Sequence, residues 1–196
     1  DVEVRAIQKL SFGDEPADVR NARDQALAGQ YENALASLKK VNPAEIQNAA
    51  VTQEIGYYTA FCNAKLALPA GGDRRVAREG LFEFIRANPT TYHFFEAAQL
   101  LGDLSFALSE YAEAAKYYGA LAKAEWPEYK MRAAVLQARA QSAEGKHAEA
   151  MAAYDLILSS GLNTPEAVEQ KMQATVGRAV CLAATGKHEE GITIIE

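Results

Sequence analysis

Three histidines and two cysteines are the side chains best equipped to ligate a metal or attack an electrophile: His93, His147, His188, Cys62 and Cys181. A closed zinc site takes four nitrogen or sulfur ligands, and two cysteines alone supply neither that set nor a disulfide framework. Cys62 lies in Phe61-Cys62-Asn63-Ala64 and Cys181 in Val180-Cys181-Leu182-Ala183, both apolar helical segments, so buried free thiols are expected and the redox compartment stays undecided. His147 and His188 each follow Gly-Lys in one recurring phrase. That makes them packing positions at a helix start, and adjacent repeats would hold them too far apart for one ion. His93 stands between Tyr92 and Phe94 with no cysteine or carboxylate at ligand spacing. No Gly-x-Ser-x-Gly elbow, phosphate-binding loop or His-Glu-x-x-His occurs. The glycine doublet Gly71-Gly72 runs into Asp73-Arg74-Arg75 rather than Lys-Ser/Thr, as a loop between helices would. The expectation is a protein without catalytic, cofactor or metal residues.

The 196 residues carry 49% hydrophobic and 23% charged side chains, enough for a real core. Net charge is −6 with no basic run, which argues against double-stranded nucleic acid as a partner, since that would need clustered Lys and Arg. No apolar stretch reaches the ~18 residues of a membrane span. The chain begins at Asp1 rather than Met, which points to an upstream targeting signal or a cloning boundary and leaves the compartment open, cytoplasmic or exported.

Any functional side chain must be positioned by helices. Ala, Leu, Glu, Lys and Gln dominate, a helix-forming composition, and no segment sustains the alternation of a strand. A turn-and-helix phrase recurs: Gly29-Gln30-Tyr31-Glu32-Asn33-Ala34, Ser109-Glu110-Tyr111-Ala112-Glu113-Ala114, Gly145-Lys146-His147-Ala148-Glu149-Ala150 and Gly186-Lys187-His188-Glu189-Glu190-Gly191. The first residue would end one helix in a left-handed conformation. The aromatic or His opens the next helix, and the Ala or Gly lies where two helices approach closely. A bulky residue one turn later fills the gap: Leu38, Tyr118, Tyr154 and, after Gly191, Ile195. A degenerate copy keeps Gly80 and Phe84 as its small and bulky pair, with Asp73 as N-cap. Tyr31, Ala77, Tyr111, His147 and His188 are then spaced by 46, 34, 36 and 41. Seven residues before each turn the first helix offers Ala22, Gly102, Ala138 or Ala179 for the same close approach. Caps at Asn42-Pro43-Ala44-Glu45 and Thr164-Pro165-Glu166 complete a map of helices. It runs over 16–28, 31–41, 44–68, 73–87, 91–108, 111–123, 127–144, 147–160, 165–185 and 188–196. Val2–Leu10 is a candidate lead-in helix within a lead-in segment, 1–14.

Leu101-Gly102, Tyr111, Ala114 and Tyr118 resemble the tetratricopeptide repeat, whose usual length is about 34 residues, and the resemblance covers roughly residues 15–196. It implies an all-α, right-handed α-solenoid of stacked antiparallel helix pairs, about five repeats with the last incomplete, as though array or chain continued past Glu196. The early aromatic of the first helix is missing in most copies and the closing Pro drifts, which marks a divergent array. The resemblance further implies a non-catalytic scaffold holding a peptide or partner protein in the groove lined by the first helices; the alternative is a structural spacer or oligomerisation segment. Carried over residue by residue, the groove positions are Val19 and Arg23 in copy one and Tyr58 and Phe61 in copy two. Copy three contributes Glu96, Gln99 and Asp103, copy four Arg132, Val135 and Arg139, and copy five Gln173, Val176 and Val180. The Lys/Asn/Arg carboxylate clamp of the family is not reproduced. Arg132 and Arg139, two turns apart on one helix, either meet acidic groups of a ligand or pair with Glu96 or Asp103 on the neighbouring helix.

Overall fold

The computed structural model describes residues 10–195. Of these, 74% are helical, with no strand among them. Ten α-helices follow in order: α1 Ala17–Leu27, α2 Tyr31–Leu38, α3 Ala49–Ala67, α4 Arg74–Ala87, α5 Phe94–Ala107, α6 Tyr111–Ala120, α7 Pro127–Ala143, α8 His147–Leu158, α9 Pro165–Ala184 and α10 His188–Thr193. The candidate helix Val2–Leu10 lies, save for Leu10, outside the described residues. The chain divides into two compact units, Asp1–Thr91 and Tyr92–Glu196. In the first, α1 packs on α2 and α3, and α3 on α4. In the second, α5 packs on α6, α6 on α7, α7 on both α8 and α9, and α9 on α10. Within each unit every helix packs on the next one in sequence, as in helical repeats.

Chemistry local to the turns sets these pairs. Gly29, Gly145 and Gly186 adopt φ of 76°, 89° and 86°, and Ser109 takes the same left-handed conformation at 62°. At each turn a backbone N–H reaches back to a carbonyl five residues earlier: Gln30 to Gln25, Glu110 to Ser105, Lys146 to Gln141 and Lys187 to Leu182. That 6→1 bond closes a helix end that would otherwise leave carbonyls unpaired. At the other ends Asn48, Asp73 and Thr164 cap α3, α4 and α9 by accepting from the N–H of Ala50, Val76 and Ala167.

The small-and-bulky device operates as the phrase requires. Ala34, Ala114 and Ala150 are completely buried, as are Ala22 and Ala138 on the first helices. Gly102 lies under the Tyr118 ring, where an added Cβ would come 2.5 Å from Cδ1, and Gly177 lies under Tyr154, where it would come 2.5 Å from the hydroxyl oxygen. In the last pair a Cβ on Gly191 would stand 3.0 Å from the Ala179 carbonyl oxygen.

The structure corrects the sequence map in five places. The cap at Asn42 opens only a 3-10 turn, Pro43–Glu45, in which Asn42 accepts from the Ala44 N–H and donates to Glu45; α3 starts at Ala49, behind its own cap Asn48. Thr91–His93 precede α5 rather than begin it, and α6 tightens into a 3-10 turn at Leu121–Lys123. In the degenerate copy, Gly80 is exposed and nothing lies within 4 Å of where its Cβ would be, whereas Ala77 and Leu81 are buried. The equivalent pair there is therefore Ala77 and Leu81, three residues earlier, and Phe84 instead lies by Gly56 of α3, where an added Cβ would come 3.4 Å from its ring. Finally, α10 ends at Thr193 and Ile195 is 58% exposed, so it fills no gap.

Candidate functional site

The first helices of the second unit, α5, α7 and α9, carry most of the expected groove. On α5, Glu96, Gln99 and Asp103 recur at three- and four-residue steps, which places them along one face. Asp103 accepts a hydrogen bond from the Tyr118 hydroxyl at 2.8 Å and lies 3.5 Å from Arg139 Nη2. Arg139 also donates to the Tyr118 oxygen at 3.0 Å and covers the Phe106 ring at 4.4 Å. Burial first, then the Asp103 charge, raises the Tyr118 pKa well above the tyrosine range, so its proton stays to donate. Arg139 is thus committed to its own neighbours.

Arg132, two turns earlier on α7, is placed differently. Its guanidinium covers the Tyr129 ring at 5.5 Å, and it forms no ion pair among the described residues. Tyr129 is tilted against Trp126 at 5.4 Å and against Phe95 of α5 at 5.8 Å, and Phe95 meets Phe94 edge-on at 5.4 Å. All five side chains are half-buried. The result is an aromatic platform spanning α5 and α7 with one cation on it. Cation–π contact holds such a guanidinium in place without neutralising it.

The remaining expected positions scatter. Val135 is core, at 3% exposure, and Gln99 is half-buried. Glu96 is exposed and stands 3.7 Å from His93 Nδ1, so His93, 5% exposed, does have a carboxylate neighbour one turn on. Gln173 is exposed and donates to Glu169 at 3.3 Å, and Val176 and Val180 are open at 57% and 55%. In the first unit Tyr58 is buried between Tyr57 and Arg23, while Phe61 is half-buried among Tyr31, Tyr57 and Lys65.

Val19 and Arg23 are not surface at all, at 0% and 2% exposure. Arg23 is the centre of a buried ion network that sequence reasoning missed. It pairs with Glu15, donates to Glu54 from Nε at 3.3 Å and reaches the Leu10 carbonyl from Nη1 at 2.6 Å. Burial opposes its charge, but the hydrogen bond and charge of Glu15, with Glu54 adding, hold its pKa above the ordinary value. The available signal was Glu54, which shares a helix face with Val51 and Tyr58 and so had to be buried.

Both cysteines are free and buried, and burial pushes the Cys62 thiol up to about 11, which makes it a poor nucleophile. His147 is half-buried with Nδ1 3.5 Å from the Ser142 hydroxyl, whereas His188 is exposed rather than packed. Among the described residues no three His, Cys, Asp or Glu are grouped to hold a metal, and no helix is long and apolar enough to cross a membrane. A recess of about 400 Å³ lies by the start of α1 and α3, with Asp14, Asp18, Lys40 and Glu45 around a floor that includes Val51.

No family model matches the chain, and no curated protein matches its sequence. Solved structures do. The structure described as MamA MSR-1 C2 is 18% identical with a TM-score of 0.61, over 91% of this chain and 90% of that one. MamA AMB-1 C2221 is 18% identical with a TM-score of 0.59, over 90% and 92%. At that identity the likeness concerns the fold, an all-α tetratricopeptide-like helical repeat.

Proposed function

We propose that the protein is a non-catalytic interaction scaffold whose second unit binds an extended, acidic segment of a partner protein across α5 and α7. The observation that carries this is Arg132: a half-buried guanidinium, laid on an aromatic platform, with no carboxylate to neutralise it among the described residues. Half-burial weakens solvent screening, so a ligand carboxylate there gains more than an exposed pair would. Phe95, Trp126 and Tyr129 supply flat, rigid contact area of the kind that dominates binding energy at interfaces. A segment with proline beside its acidic residue suits such rings, because an extended polyproline-type chain loses little entropy on docking. Arg139, held by Asp103 and Tyr118, borders the site and contributes field rather than a free hand. The tetratricopeptide-like fold supports the scaffold reading at the level of architecture.

Trp126 is the single tryptophan, so its fluorescence reports on the platform directly. A Glu-Pro repeat peptide is expected to change that emission saturably, with affinity falling as salt rises. Arg132→Glu should weaken it at least about tenfold, roughly 1.4 kcal/mol. A Lys-Pro peptide that titrates equally well, or an Arg132→Glu protein that binds the Glu-Pro peptide unchanged, sinks the assignment.

A further inference from the structure

The recess by the start of α1 and α3 lies wholly within the first unit, apart from the Arg132 platform. Two asparagines shape it. Asn48, the N-cap of α3, accepts from the Ala50 N–H and donates from Nδ2 to Asp14 at 3.0 Å. That bond ties the segment before α1 to the start of α3. Asn42 donates to Glu45 at 2.8 Å and so fixes the 3-10 turn that forms another wall. Val51, with no exposure, and the half-buried Pro16, Val41 and Ile46 supply apolar lining. At about 400 Å³ the space falls within the range of ligand sites, about 300–1,000 Å³.

Three carboxylates line this space, and none of them has a cation at ion-pair distance among the described residues: Asp14, Asp18 and Glu45. The amides that hold Asp14 and Glu45 carry no charge, so they orient the carboxylates without neutralising them. Asp18, half-buried in the first turn of α1, has no side-chain partner of any kind among the described residues. Half-burial weakens screening, so an incoming cation gains more at Asp18 than at an exposed carboxylate. Opposing these charges are Lys40 and the positive ends of α1 and α3, each end equivalent to about half a charge. The balance is about one negative charge, which suits one monovalent cation and not a polycation. The acidic groups do not converge as ligands of a metal would. The apolar lining calls instead for a cation on a hydrocarbon stem.

We infer that the recess binds a single arginine side chain of a partner protein, its methylenes along Val41, Ile46 and Val51 and its guanidinium on Asp18. Long cationic side chains bury their stems on apolar surface and keep the charged head at its rim. A guanidinium fits better than an ammonium, because it is weakly hydrated and meets one carboxylate through two N–H groups. This site and the Arg132 platform lie in different units and select opposite charges, so either assignment can fail alone.

The probe is a Gly-Arg-Gly peptide with both ends blocked, titrated into the whole isotope-labelled chain and followed by amide NMR. The signals of Asp18, Gln47, Asn48 and Val51 should shift saturably, with Kd of about 1 mM or below. The same peptide with citrulline for arginine keeps the shape without the charge and should bind at least about tenfold more weakly. Asp18→Asn should weaken the arginine peptide by a similar factor, and Lys40→Gln should tighten it. Glu32→Gln, which removes the same charge from an exposed position on α2, should change nothing. No saturation at about 10 mM, equal binding of the citrulline peptide, or equal losses from Asp18→Asn and Glu32→Gln overturns the site. Replacing Arg5 and Lys9 together by Gln tests the other source of a cation, the chain's own N-terminal segment. Binding unchanged by that replacement supports a partner's arginine; binding tightened at least about tenfold overturns it in favour of the chain's own segment.

Discussion

Replacing Gly102 by Ala tests whether backbone-to-ring contact, and not merely burial, holds the third helix pair together. Helix propensity alone favours the change, since Ala gains about 1 kcal/mol over Gly inside a helix. The structure opposes it: the new Cβ would lie 2.5 Å from Cδ1 of Tyr118, a ring with no exposure. Relieving that overlap displaces the ring by about 1 Å, an overpacking cost near the upper end of about 1–3 kcal/mol. The same displacement pulls the hydroxyl from Asp103 at 2.8 Å and Arg139 at 3.0 Å, costing about 1 kcal/mol more. The net is a loss of about 2–3 kcal/mol. For a unit of roughly 100 residues that lowers the melting temperature by about 10–20 °C. Gly80→Ala is the control, because nothing lies within 4 Å of its Cβ position, so it should stabilise by up to about 1 kcal/mol. Urea denaturation followed by circular dichroism reads both. In a Tyr118→Ala background Gly102→Ala should turn neutral or stabilising, a coupling of at least about 1 kcal/mol. A Gly102→Ala protein as stable as the parent would refute the seating of Tyr118 on the α5 backbone.

Arg23→Met should cost about 3–5 kcal/mol, because Glu15 and Glu54 are left buried without their cation; adding Glu15→Gln and Glu54→Leu should recover much of it. A denaturation midpoint within experimental error of the parent for the single variant would mean the network does not persist in solution. Tyr154 titrates at about 12, chiefly through burial, against an ordinary value near 10 in the unfolded chain. Below pH 10 both states keep the proton; above it the unfolded state loses the proton first, so stability falls as pH rises from about 10 to 12. Tyr118 acts in the same direction, so Tyr154→Phe should flatten this alkaline limb without erasing it, and an unchanged slope in urea titrations across that window contradicts the burial of the hydroxyl.

The fold was legible where a residue type has one local use. A left-handed turn residue, a small residue at a crossing and a bulky one a turn later leave little choice of architecture, and Gly29, Ala114 and Tyr154 sit as their phrase demands. The degenerate copy misled because Gly80 looks like a crossing residue, yet a glycine on a solvent face leaves the same mark in sequence. Only the burial of Ala77 and Leu81 separates the two. Ser109 shows the converse, a turn readable from its neighbours although its own residue type disfavours φ of 62°.

The site was legible only in its positions, because periodicity says which face a residue shares and not which neighbour claims it. Arg132 and Arg139 are indistinguishable in sequence: same type, same helix, two turns apart. Their difference is made elsewhere in the chain. Asp103 and Phe106 lie where Arg139 can reach them, and Tyr118 points its hydroxyl between them, while the part of α5 nearer Arg132 offers Phe95 and its ring. One arginine is thereby tied to side chains of the preceding helix pair and the other is left without a carboxylate partner among the described residues. Arg23 is the extreme of the first outcome, a groove position by alignment that three oxygen partners have drawn into the core. The same logic separates two methionines fourteen residues before Gly145 and Gly186. Met131 and Met172 occupy one repeat position, and what makes the first a core residue is the helix laid over it, so the exposure of the second is a property of what α9 packs against and not of its sequence.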